Sequence, residues 1–135
     1  MINFYNNQRN IIMSLSHFSL DHTLEPTIKF SVNISYVFYK ASVDIEDYKI
    51  CFKTFNKELE LFYDNKIEMA QLILVGKQLE IYFKQLDFGH ILVTIKLNHF
   101  DIDYITCIST LVIQYEIDQS FIPDLITEIN AILTM

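Results

Sequence analysis

"TIKFSVNISYVFYKASVDIEDYKICFKTFNKELELF", residues 27–62, decides the fold class, because the spacing of its apolar residues changes within the stretch. Phe30, Val32, Ile34 and Tyr36 alternate with Lys29, Ser31, Asn33 and Ser35, the pattern of a strand buried on one face. The parity slips at residues 36–39 and is taken up by Val37, Tyr39, Ala41 and Val43. With no Gly or Pro there, the slip reads as a β-bulge rather than a turn. Over residues 45–63 the period lengthens: Tyr48, Phe52, Phe55, Leu59 and Phe62 recur at intervals of three and four. That spacing predicts an amphipathic helix, with Asp44 placed to cap its start.

Upstream, the Asn-rich residues 1–11 read as a loose arm, 13–20 as a first strand, and 21–26 as a turn broken by Pro26. Downstream, 69–75, 78–86, 90–97 and 107–117 each read as strands. Gly76-Lys77 predicts a tight hairpin, and Gly89 supplies a positive-φ residue in the "DFG" connection. The closing "DQSFIPDLITEINAIL" reads as a helix, with Ser120 as its cap, Pro123 in its first turn and Ile122, Leu125, Ile126, Ile129 and Leu133 inward. The order is β-β-α-β-β-β-β-α. Short connections favour antiparallel pairing, and two one-sided helices need one sheet face to cover. The expected fold is therefore α+β: a single twisted antiparallel sheet of about six strands with both helices on one face, in one domain spanning 1–135. The sequence shows no internal repeat.

Of the 135 residues, 51% are hydrophobic and 14% aromatic, enough for a core without metal or disulfide. No apolar run is long enough to span a bilayer and no signal peptide opens the chain, so a cytoplasmic location is expected. Cys51 and Cys107 stand far apart outside any metal-binding spacing and read as packed, reduced thiols. Net charge is −7, and no Lys or Arg follows Lys96. That C-terminal third disfavours nucleic acid and suits a basic protein partner.

No catalytic set assembles. Asp87-Phe88-Gly89 resembles the magnesium-holding triplet of kinases, but the chain has only two glycines and none of the partner motifs. His90 lacks a nucleophile or acid partner and reads as a strand-end residue. His99, Asp101 and Asp103 share one parity and contain metal-ligand chemistry, yet three ligands from one short loop read more simply as a solvated turn. Asn33-Ile34-Ser35 is an incidental sequon. No cofactor or metal is expected, and the chain does not read as an enzyme. Asp101 and Asp103 fall at one end of the last hairpin, Glu116 and Asp118 at the other, beside Asp87. The two groups flank a broad surface instead of forming one patch.

Phe55 to Leu59, Gly89-His90 followed by Ile91, Val93, Ile95 and Leu97, and the segment Tyr115 to Leu133 together resemble the WapI-type immunity proteins of bacterial polymorphic toxin systems. The resemblance covers about residues 27–133. It implies a small non-enzymatic inhibitor that binds a cognate toxin domain, and a nuclease fits best on charge. Asp101, Asp103, Tyr104, Glu116 and Asp118 are the expected contact residues. The alternative expectation is a small-ligand or regulatory module using the open sheet face, flanked by Tyr82 and Lys84. Homodimerisation through an uncovered strand edge is open under either expectation.

Overall fold

The computed structural model describes residues 1–135. Its elements are β1 (Ile2–Tyr5), β2 (Ile11–Asp21), β3 (Thr27–Tyr36), β4 (Tyr39–Tyr48), α1 (Lys49–Tyr63), β5 (Met69–Ile73), β6 (Leu79–Gln85), β7 (His90–Phe100), β8 (Cys107–Asp118) and α2 (Ile122–Leu133). The class is α+β, as expected. The single six-stranded sheet is not: the strands form two four-stranded antiparallel sheets, β1-β2-β3-β4 and β5-β6-β7-β8. Alternation fixes which way a side chain faces but not which strand is its neighbour. Here α1 separates β4 from β5, and each run of four strands pairs within itself.

The two sheets reveal a repeat that the sequence conceals. Four antiparallel strands and a helix occur twice, with matched register. In the first sheet Ile28 faces Asp47 and Phe30 faces Ile45; in the second Ile91 faces Ile117 and Val93 faces Tyr115. Phe52, Phe55, Leu59 and Phe62 are buried on α1, and Ile122, Leu125, Ile129 and Ile132 on α2, at the same spacing. Asn56 stands where α2 has Ile126. It is 6% exposed and its Oδ1 finds no partner, a local cost of about 1–3 kcal/mol.

The halves interlock through their helices. Near its start α1 sets Phe52 edge-on to Phe30 of β3 at 5.3 Å, and farther along it sets Phe55 and Phe62 against Phe83 of β6 at 5.9 and 6.4 Å. It also packs on β5, while α2 packs on α1 and on β1. Phe4 of β1 meets Phe83 at 6.5 Å. One buried cluster therefore joins both sheets and both helices.

Several local expectations are corrected. Residues 1–11 are not a loose arm: Ile2 and Phe4 are buried, and β1 pairs with β2 from Ile2↔Leu15 to Tyr5↔Ile11. The parity slip at 36–39 is a two-residue turn, since Tyr36 pairs with Tyr39 and Val37 takes φ 54°. Asp44 lies inside β4 and caps nothing on α1, which starts only at Lys49 after Tyr48. Ser120 is not the cap of α2; its main-chain N–H donates to Asp118 Oδ1 at 2.8 Å in a short 3-10 turn before the helix. Gly89 does take a positive φ, 76°, as expected.

Each helix also guards an outer strand of the opposite half. The Asn3 N–H of β1 donates to Glu128 Oε2 of α2 at 3.1 Å, and the Gln71 N–H of β5 acts on the Glu58 carboxylate of α1. Unpaired strand edges invite association, and these contacts blunt two of them. Burial raises both carboxyls above the ordinary glutamate value. The folded chain thus holds these protons more tightly than the unfolded one. The stability they give is present below the ordinary value and is lost as pH rises through the raised one. The double variant E58Q/E128Q should flatten the decline in stability as pH rises above the ordinary glutamate value. Urea unfolding at several pH values would show it, and an unchanged profile would refute it.

Candidate functional site

The β7–β8 hairpin ends in a loop that its own aspartates hold in shape. Asp103 accepts from the N–H groups of Ile105 and Thr106 at 2.9 and 3.0 Å, and from the Thr106 hydroxyl at 3.1 Å. The Thr106 and Ile105 N–H bonds hold its carboxyl below the usual aspartate range. Asp101 accepts from Ile102 N–H at 2.7 Å, and Tyr104 N–H donates to the Asp101 carbonyl at 2.8 Å. Asp103 is thus committed to the turn. No three His, Cys, Asp or Glu side chains come together here or elsewhere in a group able to hold a metal ion.

What this loop offers is apolar surface. Ile102, Tyr104 and Ile105 are 90%, 78% and 83% exposed, with Tyr104 held at φ 57°. Together they form a contiguous exposed apolar patch on one short turn, a feature that can serve binding. The loop borders a groove of about 630 Å³. One wall is Ala41, Ser42 and Val43 of β4; the other is formed by Leu97–Phe100 and Leu111 of the β7–β8 hairpin, with Ile102 and Tyr104 at its end.

The β3–β4 hairpin that carries the first wall has an apolar tip of its own. Val37, Phe38 and Tyr39 are all exposed. A β-branched residue at positive φ is strained by about 1–2 kcal/mol, and Asn or Gly would relieve it at this turn. Reading 36–39 as a bulge hides this tip. Its signal in the sequence is a turn whose positions are filled by Val, Phe and Tyr.

The remaining expected residues lie where the register argument puts them. Glu116 pairs with Leu92 and Asp118 with His90, at the far end of the hairpin from Asp101 and Asp103. The structure therefore brings Asp101, Asp103 and Tyr104 together and keeps Glu116 and Asp118 apart from them. His90 and His99 are both exposed. On the open face of the second sheet, Tyr82 donates to Glu80 at 2.8 Å and lies under Lys96. Burial, then the adjacent Glu80, push its hydroxyl up to about 12. Cys51 is half-buried, but Cys107 is exposed rather than packed. β8 is the outer strand of its sheet. No helix is long and apolar enough to cross a membrane. Comparison with protein-family models, with curated proteins and with solved structures returned no match.

Proposed function

We propose that this chain is an immunity-type inhibitor that captures a basic toxin domain, such as a nuclease, through the end of its β7–β8 hairpin, and that it catalyses nothing itself. The observation that carries this reading is the loop of residues 101–106, held by its aspartates while it exposes Ile102, Tyr104 and Ile105. A prearranged loop loses little freedom on binding, so aromatic and aliphatic anchors on it contribute strongly to affinity. The chain carries a net charge of −7, with no Lys or Arg after Lys96, and so an overall negative field. Such a field speeds encounter with a basic partner and weakens with salt.

Co-expression with the product of the neighbouring gene, followed by pull-down and a growth-rescue assay, tests this. The wild type should co-purify and protect, and the complex should weaken as salt rises. The Y104A/I105A variant should lose at least about 2 kcal/mol of affinity, roughly 30-fold, with its circular dichroism unchanged. Undiminished binding by that variant, or association indifferent to salt, would sink the proposal.

A further inference from the structure

Four strands lie at the rims of the two sheets: β1 and β4, β5 and β8. Glu128 and Glu58 guard β1 and β5. β4 carries exposed Lys40, Asp44 and Glu46, the kind of side chain that keeps a rim in water. β8 is different. From Cys107 to Gln114 it holds no charged residue, proline or glycine, and its register with β7 is regular from Ser109 to Asp118.

The direction of its main-chain groups follows from β7. The Asn98 N–H donates to the Gln78 carbonyl at 2.8 Å, and the His90 carbonyl accepts from the Leu86 N–H at 2.8 Å. Both residues therefore turn away from β8, and their β8 partners, Thr110 and Asp118, turn outward. Alternation adds Val112, Gln114 and Glu116 to that row. The rim is closed at Asp118, whose N–H donates to Asn7 Oδ1 at 2.8 Å. At Gln114 only the carbonyl is met, by the Tyr36 hydroxyl at 3.5 Å. No main-chain bond from outside the sheet reaches Thr110, Val112 or Glu116.

The same rim has an apolar neighbour. β4 faces Leu97 and Leu111 across the groove, and Tyr36 brings the β3–β4 hairpin out at Gln114. The exposed Val37, Phe38 and Tyr39 follow at once. A strand laid along β8 would alternate between that tip and the outer face, where Thr110, Val112, Gln114 and Glu116 are exposed. The only charges on β8 are Glu116 and Asp118, both negative. A net charge of −7 opposes a second copy of the chain and favours a basic segment.

From these features we infer that β8 takes up an extended segment of the basic partner as a further strand of its sheet, paired main chain to main chain over Thr110–Glu116. The inference rests on the inhibitor reading for the partner's identity, and on the rim alone for the mode of binding. Pairing of this kind draws affinity from main-chain bonds and selectivity from alternate side chains. Here the segment is basic on its outer side and apolar toward the β3–β4 tip. At about 3.3 Å per residue, roughly twelve extended residues reach from Tyr104 to Glu116. Contacts at opposite ends of the hairpin thereby meet one ligand.

The probe is a peptide, acetyl-Lys-Val-Lys-Val-Lys-Val-Lys-amide, titrated into the isotope-labelled full chain. It should shift the amide signals of Thr110, Val112, Gln114 and Glu116 and slow their exchange. The Leu111 and Ile113 amides, which face β7, should keep their exchange rates. The N-methylated peptide and a Glu-for-Lys counterpart should each bind at least about tenfold more weakly. Glu116→Lys should weaken the basic peptide severalfold. Val112→Pro removes one outward donor and none facing β7, and should abolish binding; circular dichroism checks the fold of both variants. No shift along β8 at millimolar peptide would overturn the inference. So would equal binding of the N-methylated form, or dimerisation of the chain alone through β8. With the neighbouring gene's product bound, the Thr110 and Val112 amides should also exchange more slowly. A complex that leaves them unprotected overturns the strand pairing and spares the reading of loop 101–106. Failure of any complex to form overturns that reading, and the peptide result then decides the pairing.

Discussion

Phe83→Ala should cost about 3–5 kcal/mol, the range for emptying a fully packed aromatic site. The side chain is 1% exposed and touches the rings of Phe4, Phe55 and Phe62. Those rings come from β1 and α1, so the void would open where the two halves meet. Aromatic pairs add about 0.5–1.5 kcal/mol each beyond the area they bury, and three would be lost together. Phe83→Leu should cost markedly less, because it keeps most of the apolar volume. Urea unfolding at constant m reads both values. A loss under about 1 kcal/mol for the alanine variant would mean that the halves do not depend on this junction.

Asp47→Ala is expected to follow closely, at about 3 kcal/mol. Asp47 is 6% exposed. It accepts from Tyr48 N–H at 2.8 Å, Val75 N–H at 3.1 Å and Gly76 N–H at 2.9 Å. Alanine would strand three donors in a site that water reaches poorly. Asp47→Asn keeps one acceptor oxygen and should cost less. Hydrogen exchange gives the specific readout: the Val75 and Gly76 amides should exchange faster in the alanine variant, while those of β3 keep their rates relative to global unfolding. If the two amides keep their protection, the carboxylate is not what holds the turn. Gly76 suits this role, because a Cβ there would meet Asp47 Oδ2 at 3.4 Å.

Period and turn chemistry in the sequence are enough to place both helices and the strands of the second sheet. Alternation in 27–36 and the three-and-four spacing of Phe52 to Phe62 are local signals, and local signals survive into the structure. What the sequence hides is non-local. Asp44 reads as a cap because it precedes the helical spacing, yet β4 runs on to Tyr48. The aspartate that matters is Asp47, whose partners at Val75 and Gly76 lie far along the chain. β1 is hidden because four residues ahead of an Asn-rich turn give too short a pattern, although Ile2 and Phe4 do alternate. The repeat is hidden because matching core positions exchange aromatic for aliphatic side chains, as at Phe52 and Ile122, Phe55 and Leu125, or Phe62 and Ile132. Only scattered pairs such as Ile28 and Ile91, or Glu58 and Glu128, coincide.

Among the expected contact residues, Tyr104 stands out in sequence by its place in a charged loop, and it is exposed there. Asp103 stands out by its charge, and its carboxylate also holds the turn, which the sequence does not show.

The reach of Glu128 back to Asn3 has a consequence for synthesis. Ribosomes release a polypeptide from its amino end, so β1 emerges well before the carboxylate that shields its rim. Throughout that interval the nascent first sheet carries a bare strand able to pair with a neighbouring copy. Productive maturation therefore rewards rapid synthesis from β1 through α2, and a pause between them would expose the molecule to entanglement with its siblings.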